Sequence, residues 1–210
     1  MSPSNFPTTV LILTHRDKET KEIVTPHLDW LKHYNPNVRV EVISDIDENI
    51  TKHMAWRNGD AKLRSWWKEN GDSIDSENIA IFEWDTLMKG KLPSLPDGLD
   101  IAGKLLFKQG QDWYWWGEAE RMDCEPIGLV SFGAIFLKRW VLDAVSKDKW
   151  DELYKKDIIC ELRFPSVAKA EGAIVGVMDL PFVHWREVKM GKELGLYHGI
   201  KQKHILPNGN

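Results

Sequence analysis

Apolar and polar positions fall into blocks that read in turn as strand and helix. Thr9-Val10-Leu11-Ile12-Leu13 is a near-continuous apolar run, the pattern of a strand buried on both faces. Polar Asp17-Lys18-Glu19-Thr20 then opens a helix through Trp30-Leu31. The turn Asn35-Pro36-Asn37 leads into Val38–Ile43, a strand alternating toward its end. Asp60 through Trp67 reads as a helix with Leu63, Trp66 and Trp67 on one side. The next apolar run, Ile79-Ala80-Ile81-Phe82, ends abruptly in Glu83-Trp84-Asp85. Strand, helix, strand, helix, strand in this order predicts a parallel sheet of βαβ units.

The second half is less regular. Lys91–Gly98 is a loop by its Pro and Gly content, and Gln109–Arg121 carries Trp113-Tyr114-Trp115-Trp116 followed by Gly117-Glu118. Gly128–Leu137 reads as a strand interrupted at Gly133, and Lys138–Val145 as a short helix. Asp157–Phe164 reads as a further strand, stopped by Pro165, and an apolar run spans Gly172–Val177. With no linker and no internal repeat, residues 1–210 are expected to form a single domain.

Composition narrows the classes. A net charge of -4 and a pI near 6.0 give no basic footprint for nucleic acid. Cys124 and Cys160 are the only cysteines, which excludes a disulfide framework and a Cys-based metal site. No apolar stretch reaches the length of a membrane span. The expectation is a soluble protein of a reducing compartment, placed in the cytoplasm. Tryptophan is over-used, 11 against 7 Phe and 4 Tyr, which suits either an aromatic core or a surface for stacking sugar rings and bases.

Glu83 and Asp85 are the candidate chemistry. Strand alternation predicts that they share a face while Trp84 takes the other. In an open α/β sheet, ligands bind beyond the carboxyl ends of the strands, and two oxygen ligands there suit a hard divalent cation carrying phosphate. The same tripeptide also fits an ordinary strand-to-loop transition with two solvated acids. Thr14-His15-Arg16 and Ser44-Asp45 end the first two strands beside it, lining one crevice with hydroxyl, guanidinium and carboxylate groups. Neither Gly-x-Gly-x-x-Gly nor Gly-Lys-Ser/Thr occurs, so phosphate must be held by metal and side chains.

The order Thr14-His15-Arg16, Asp45, Asn58-x-Asp60 with Arg64, Glu83-x-Asp85, then Tyr197-His198-Gly199-Ile200-Lys201 carries a resemblance. It resembles a GT-A nucleotide-sugar glycosyltransferase, whose signature is an Asp-x-Asp-type motif ending a central strand. In particular it is similar to the small UDP-sugar-using GT-A domain of large chlorella viruses. The resemblance implies an α/β fold with a central, mostly parallel sheet flanked by helices. Residues 1–90 would form the nucleotide-binding half and residues 91–210 the donor-sugar and acceptor half.

It further implies a site, position by position. Asp85 and His198 would bind Mn²⁺ or Mg²⁺ bridging the donor diphosphate, with Glu83 or the Trp84 backbone meeting the ribose or a metal-bound water. Lys201 would neutralise the departing diphosphate. Thr14, His15, Arg16 and Asp45 would hold uracil and ribose, and Asn58, Asp60 and Arg64 would close the crevice. The implied reaction moves a hexose or rhamnose from a UDP-sugar to a glycan or glycoprotein acceptor, in capsid glycan synthesis in the host cytoplasm if the chain is viral. Should configuration invert, a carboxylate must take the acceptor proton. Glu161, ending the expected strand at Cys160-Glu161-Leu162-Arg163, is the first candidate, and Glu118 the second.

Other readings stand beside these. Arg64 equally suits a helix-surface partner for Asp60, four residues earlier. His198, Lys201, Lys203 and His204 also fit a solvated terminal cluster, and Glu161 with Arg163 a strand-face ion pair. His15, His27, His33, His53 and His184 show no metal-ligand spacing and read as structural by default. Two rival functions are a sugar-nucleotide nucleotidyltransferase and a non-catalytic nucleotide- or glycan-binding module. The first usually carries a Gly-rich basic loop after its first strand, which Thr14–Lys18 lacks.

Overall fold

The apolar run at the start of the chain becomes the strand on which the sheet is built. The computed structural model of the chain describes residues 7–14, 18–44, 58–103, 117, 121, 134–156, 158–178, 182–183 and 195–197. In it β1 (Thr8–Thr14) pairs in parallel with β2 (Arg39–Ser44) on one side and β3 (Asn78–Glu83) on the other. The sheet continues through β6 (Ala134–Lys138), antiparallel to β3, then β5 (Ile101–Gly103) and β7 (Val175–Val177). The order is β2-β1-β3-β6-β5-β7, and every strand except β6 runs the same way. The mostly parallel sheet expected from the sequence is therefore present.

Both faces of the central strands are covered, as the unbroken apolar runs require. On one face Leu11, Leu13, Ile79, Ile81 and Leu137 pack against three helices. These are α2 (Gly59–Asn70) through Leu63 and Trp67, α3 (Arg139–Val145) through Val141 and Leu142, and α5 (Cys160–Ala170) through Phe164 and Val167. On the other face Val10, Ile12, Ala80, Phe82 and Phe136 pack against Ile23, Val24 and Leu31 of α1 (Lys18–Tyr34). The short α4 (Asp151–Tyr154) links α3 to α5. At the edges burial relaxes: Val42 on β2 is 43% exposed and Val177 on β7 is 51% exposed.

A second, small sheet attaches to the α1 side. β4 (Leu87–Lys89) pairs antiparallel with β9 (Gly195–Tyr197), which pairs in parallel with β8 (Phe182–Val183). Leu87 and Tyr197 pack on Trp30 and Tyr34 of α1, whose rings stack at 5.9 Å.

One element differs from expectation. Cys160–Phe164 is not the end of a strand but the first half of α5. The apolar-polar alternation of Cys160-Glu161-Leu162-Arg163-Phe164 followed by proline imitates a strand, and Pro165 removes one helical hydrogen bond. Burial of Leu162, Phe164, Val167 and Ala168 against the sheet outweighs that loss.

The far end of α5 is fastened electrostatically. Glu171 accepts from Lys147 Nζ at 2.6 Å and Trp150 Nε1 at 2.9 Å, and also pairs with Lys149. Hydrogen bonds from the two lysines, the Lys147 one first, hold its carboxyl down to about 2 from an ordinary 4.5. A carboxylate depressed in the folded state stabilises it above the unfolded pKa and loses that contribution as pH falls through the folded one. Glu171→Gln is therefore expected to lower the urea midpoint at pH 7. The gap from the parent protein should narrow below about pH 4.5 and close near pH 2. A gap independent of pH would contradict the assignment.

Candidate functional site

Of the residues singled out from sequence, Thr14, Glu83, Trp84 and Asp85 lie at the carboxyl edge of the large sheet. β1, β2, β3, β5 and β7 all end there, at Thr14, Ser44, Glu83, Gly103 and Val177. Glu83, opposite Leu13, is the last residue of β3. The chain then turns: Trp84 N–H still donates to Leu13 C=O at 2.9 Å, and Thr86 N–H donates back to Glu83 C=O at 3.0 Å.

That turn corrects the sequence-based geometry. Alternation ends at Glu83, so Asp85 is not placed on the Glu83 face by strand pleating. Glu83 follows Ile79 and Ile81 toward α5, where its charge helps raise the Cys160 thiol. Asp85, buried at 7% exposure, instead acts on His27 of α1. The Trp84 ring packs in the α1-side core with Ile12, Val24 and Met88, so its indole is a packing group rather than a ligand platform.

A buried polar network lies between α2 and α5 on the same side of the sheet as Glu83. Arg163, fully buried on α5, donates to Asp60 through Nε at 2.8 Å and Nη2 at 2.6 Å. It also reaches Asn58 Oδ1 at 3.3 Å and Lys156 C=O at 2.9 Å. Burial pushes the Asp60 carboxyl upward, against the pull of Arg163 and of the Ala61 N–H. Asp60 and Asn58 thus brace α2 against α5. Arg64 does not pair with Asp60. It donates to Val145 C=O at 3.3 Å and Lys147 C=O at 2.8 Å, pairs with Asp151, and lies 4.7 Å from the centre of the Tyr154 ring.

Glu161 sits in the first turn of α5, 3% exposed, accepting from Cys160 Sγ at 3.1 Å. Burial above all, then the Glu161 charge, raises the Cys160 thiol well above its ordinary range, so it is an inert donor and not a nucleophile. Thr14 is buried, and its carbonyl accepts from Lys62 Nζ at 3.0 Å. Lys62 was not visible as a site residue, because its helical position merely flanks the apolar side of α2. Only its distance from Thr14 in the fold reveals an ammonium at the carboxyl end of β1.

His15, Arg16, Asp45, Glu118, His198 and Lys201, with the Trp113–Trp116 cluster, lie outside the described residues. β9 ends at Tyr197 opposite Leu87, two residues beyond Asp85. Among the described residues no three His, Cys, Asp or Glu side chains form a metal-binding group. The carboxylates of Glu83 and Asp85 are hard oxygen donors of the type Mn²⁺ and Mg²⁺ accept. Two surface clefts of about 370 and 270 Å³ lie at the amino ends of the strands, away from this edge.

No protein-family profile matches the sequence, and no curated protein does. Solved structures do. The galactosyltransferase LgtC with donor and acceptor sugar analogs aligns at a TM-score of 0.50 with 12% identity, covering 81% of this chain and 73% of that one. A glycosyltransferase involved in glycosylation of the major capsid of PBCV-1 aligns at 0.52 with 13% identity, over 82% of each chain. Mouse xyloside xylosyltransferase 1 aligns at 0.50 with 11% identity, over 97% of this chain and all of that one, 100%. The chain has the GT-A fold of glycosyltransferases.

Asp60→Ala is expected to leave the Arg163 charge buried without its counter-ion, costing about 3–5 kcal/mol. At roughly 2–4 °C per kcal/mol for a chain of this size, calorimetry should show a clear fall in Tm. Asp60→Leu combined with Arg163→Met should recover most of it. A single-variant loss below about 1 kcal/mol would show that water screens the pair.

Proposed function

We propose that this protein transfers a sugar from a UDP-sugar to a hydroxyl of a glycan acceptor, with Mn²⁺ or Mg²⁺ at the Glu83-Trp84-Asp85 turn. One observation carries the reading: in a GT-A fold, the central strand β3 ends in this acidic turn, and β9 ends beside it at Tyr197, opposite Leu87. A bound cation there would neutralise the negative charge that builds on the leaving diphosphate. Asp85 and His198 are its proposed ligands, with Glu83 at the ribose or a metal-bound water. Lys201 supplies fixed positive charge toward the departing diphosphate, which acts without proton transfer, and Arg16 holds uracil and ribose. Thr14, His15 and Asp45 border the proposed uridine pocket.

The acceptor side falls to the start of α5. In an inverting course the Glu161 carboxylate takes the proton of the acceptor hydroxyl. The acceptor oxygen then bonds to the anomeric carbon while the anomeric C–O bond to the diphosphate breaks, its electron pair leaving with phosphate oxygen. In a retaining course the same carboxylate stabilises the positive charge on the sugar ring. Glu118 is the second candidate for this position. A hexose or rhamnose donor and a viral capsid glycoprotein as acceptor are the finer form of the proposal, supported by the PBCV-1 neighbour. Among the described residues no helix is long and apolar enough to cross a membrane.

Calorimetric titration of UDP, with GDP and CMP as controls, is run in Mn²⁺ and again in EDTA. UDP alone should bind, and only with metal; Asp85→Ala should abolish that binding. No binding in either condition would remove the glycosyltransferase reading. Glu161→Gln should keep metal-dependent UDP affinity yet slow UDP release from the matching UDP-sugar on the order of 10²-fold. Full turnover by that variant would move the acceptor-side role to Glu118.

A further inference from the structure

His27 is a polar ring in an apolar place. It lies on the face of α1 that carries Ile23, Val24 and Leu31 into the core, and is 3% exposed. Neither Nδ1 nor Nε2 makes a hydrogen bond among the described residues. Burial holds the imidazole down to about 4, opposed by the Asp85 carboxylate and by the Trp84 main chain, which is near without meeting hydrogen-bond geometry. Packing alone does not account for such a ring. A leucine or phenylalanine would fill the volume without burying two polar atoms that need partners.

Its neighbours point to a task. α1 packs along β4 through Trp30, which touches Leu87, and β4 starts two residues after Asp85. The chain on both sides of Asp85 is therefore seated on α1, Trp84 against Ile23 and Val24 and Leu87 against Trp30, one helical turn to either side of His27. A neutral imidazole always keeps one N–H donor. A carboxylate that gives one oxygen to a cation needs its other oxygen held if its orientation is to be fixed.

We propose that His27 is a positioning residue that holds the Asp85 carboxylate in the orientation required to bind the divalent cation. This rests on the metal-dependent UDP site proposed above. The ring acts through Asp85 and touches neither nucleotide nor acceptor. With the cation bound, one imidazole nitrogen would donate to one Asp85 oxygen and leave the other for the cation.

The test compares His27→Phe and His27→Gln with the parent protein by UDP calorimetry across a Mn²⁺ series, with Tm measured without metal. His27→Phe should keep or raise Tm yet need about tenfold more Mn²⁺ for half-maximal UDP binding, the effect typical of removing an outer-shell partner. His27→Gln, whose amide retains a donor, should recover most of that loss. If His27→Phe does not fold, His27→Leu takes its place. An unshifted Mn²⁺ dependence in the apolar variant overturns the positioning role, as does a shift matched by an equal loss of stability. Failure of the parent protein to bind UDP in Mn²⁺ is a different result, because it removes the site itself.

Discussion

The buried pair between Asp60 and Arg163 is the constraint on which the α2–α5 layer depends. The residues are 103 apart in sequence and both fully shielded from solvent. Two charges in such a place cost much desolvation energy, so the pair favours one particular arrangement more than it adds net stability. The two-pronged guanidinium fixes the distance and the angle between α2 and α5 at once. Through Asn58 Oδ1 and Lys156 C=O the same group also sets the entry to each helix. Tyr154 completes the arrangement. The Arg163 and Arg64 guanidiniums lie 5.0 and 4.7 Å from the centre of its ring, and burial raises its hydroxyl far above the ordinary value. With α5 so fixed, Glu161 in its first turn has a set position relative to Glu83.

Local patterning explains which parts of this were legible from sequence. Val10–Leu13 and Ile79–Phe82 have to be covered on both faces, and only a layered α/β sheet provides that cover. The helices Lys18–Tyr34 and Gly59–Asn70 show their period directly. Cys160–Phe164 was misread because alternation and a following proline are weak local signals, overruled here by packing. Asp60 and Arg64 show the same limit for charges. Spacing offered them to each other, but Asp60 found Arg163 and Arg64 found Asp151, each far along the chain. Partners across the fold leave no periodic trace.

The candidate site was legible as a location and not as a geometry. Oxygen donors at the carboxyl end of a buried strand follow from the apolar run and its abrupt end. That Glu83 and Asp85 answer to different neighbours does not, because a turn after β3 leaves the same sequence signature as a continued strand. His27 was equally hidden, since a histidine without metal-ligand spacing looks structural until its surroundings are known. Lys62 needed the fold to bring its ammonium to Thr14.

The turn at Glu83–Thr86 joins two sheets, which explains why the acidic residues fall there. β3 belongs to the large sheet and β4 to the small one, and only three residues separate them. A strand running straight on would keep Asp85 on the α5 side and leave β4 no route to β9. By turning, the chain directs Glu83 to the layer fixed by Asp60 and Arg163, and Asp85 to the layer formed by α1. The two carboxylates are therefore supported from different helical layers, Glu83 from the α5 side and Asp85 from the α1 side. The turn is thus the point at which the two helical layers, on opposite faces of the sheet, meet along the chain.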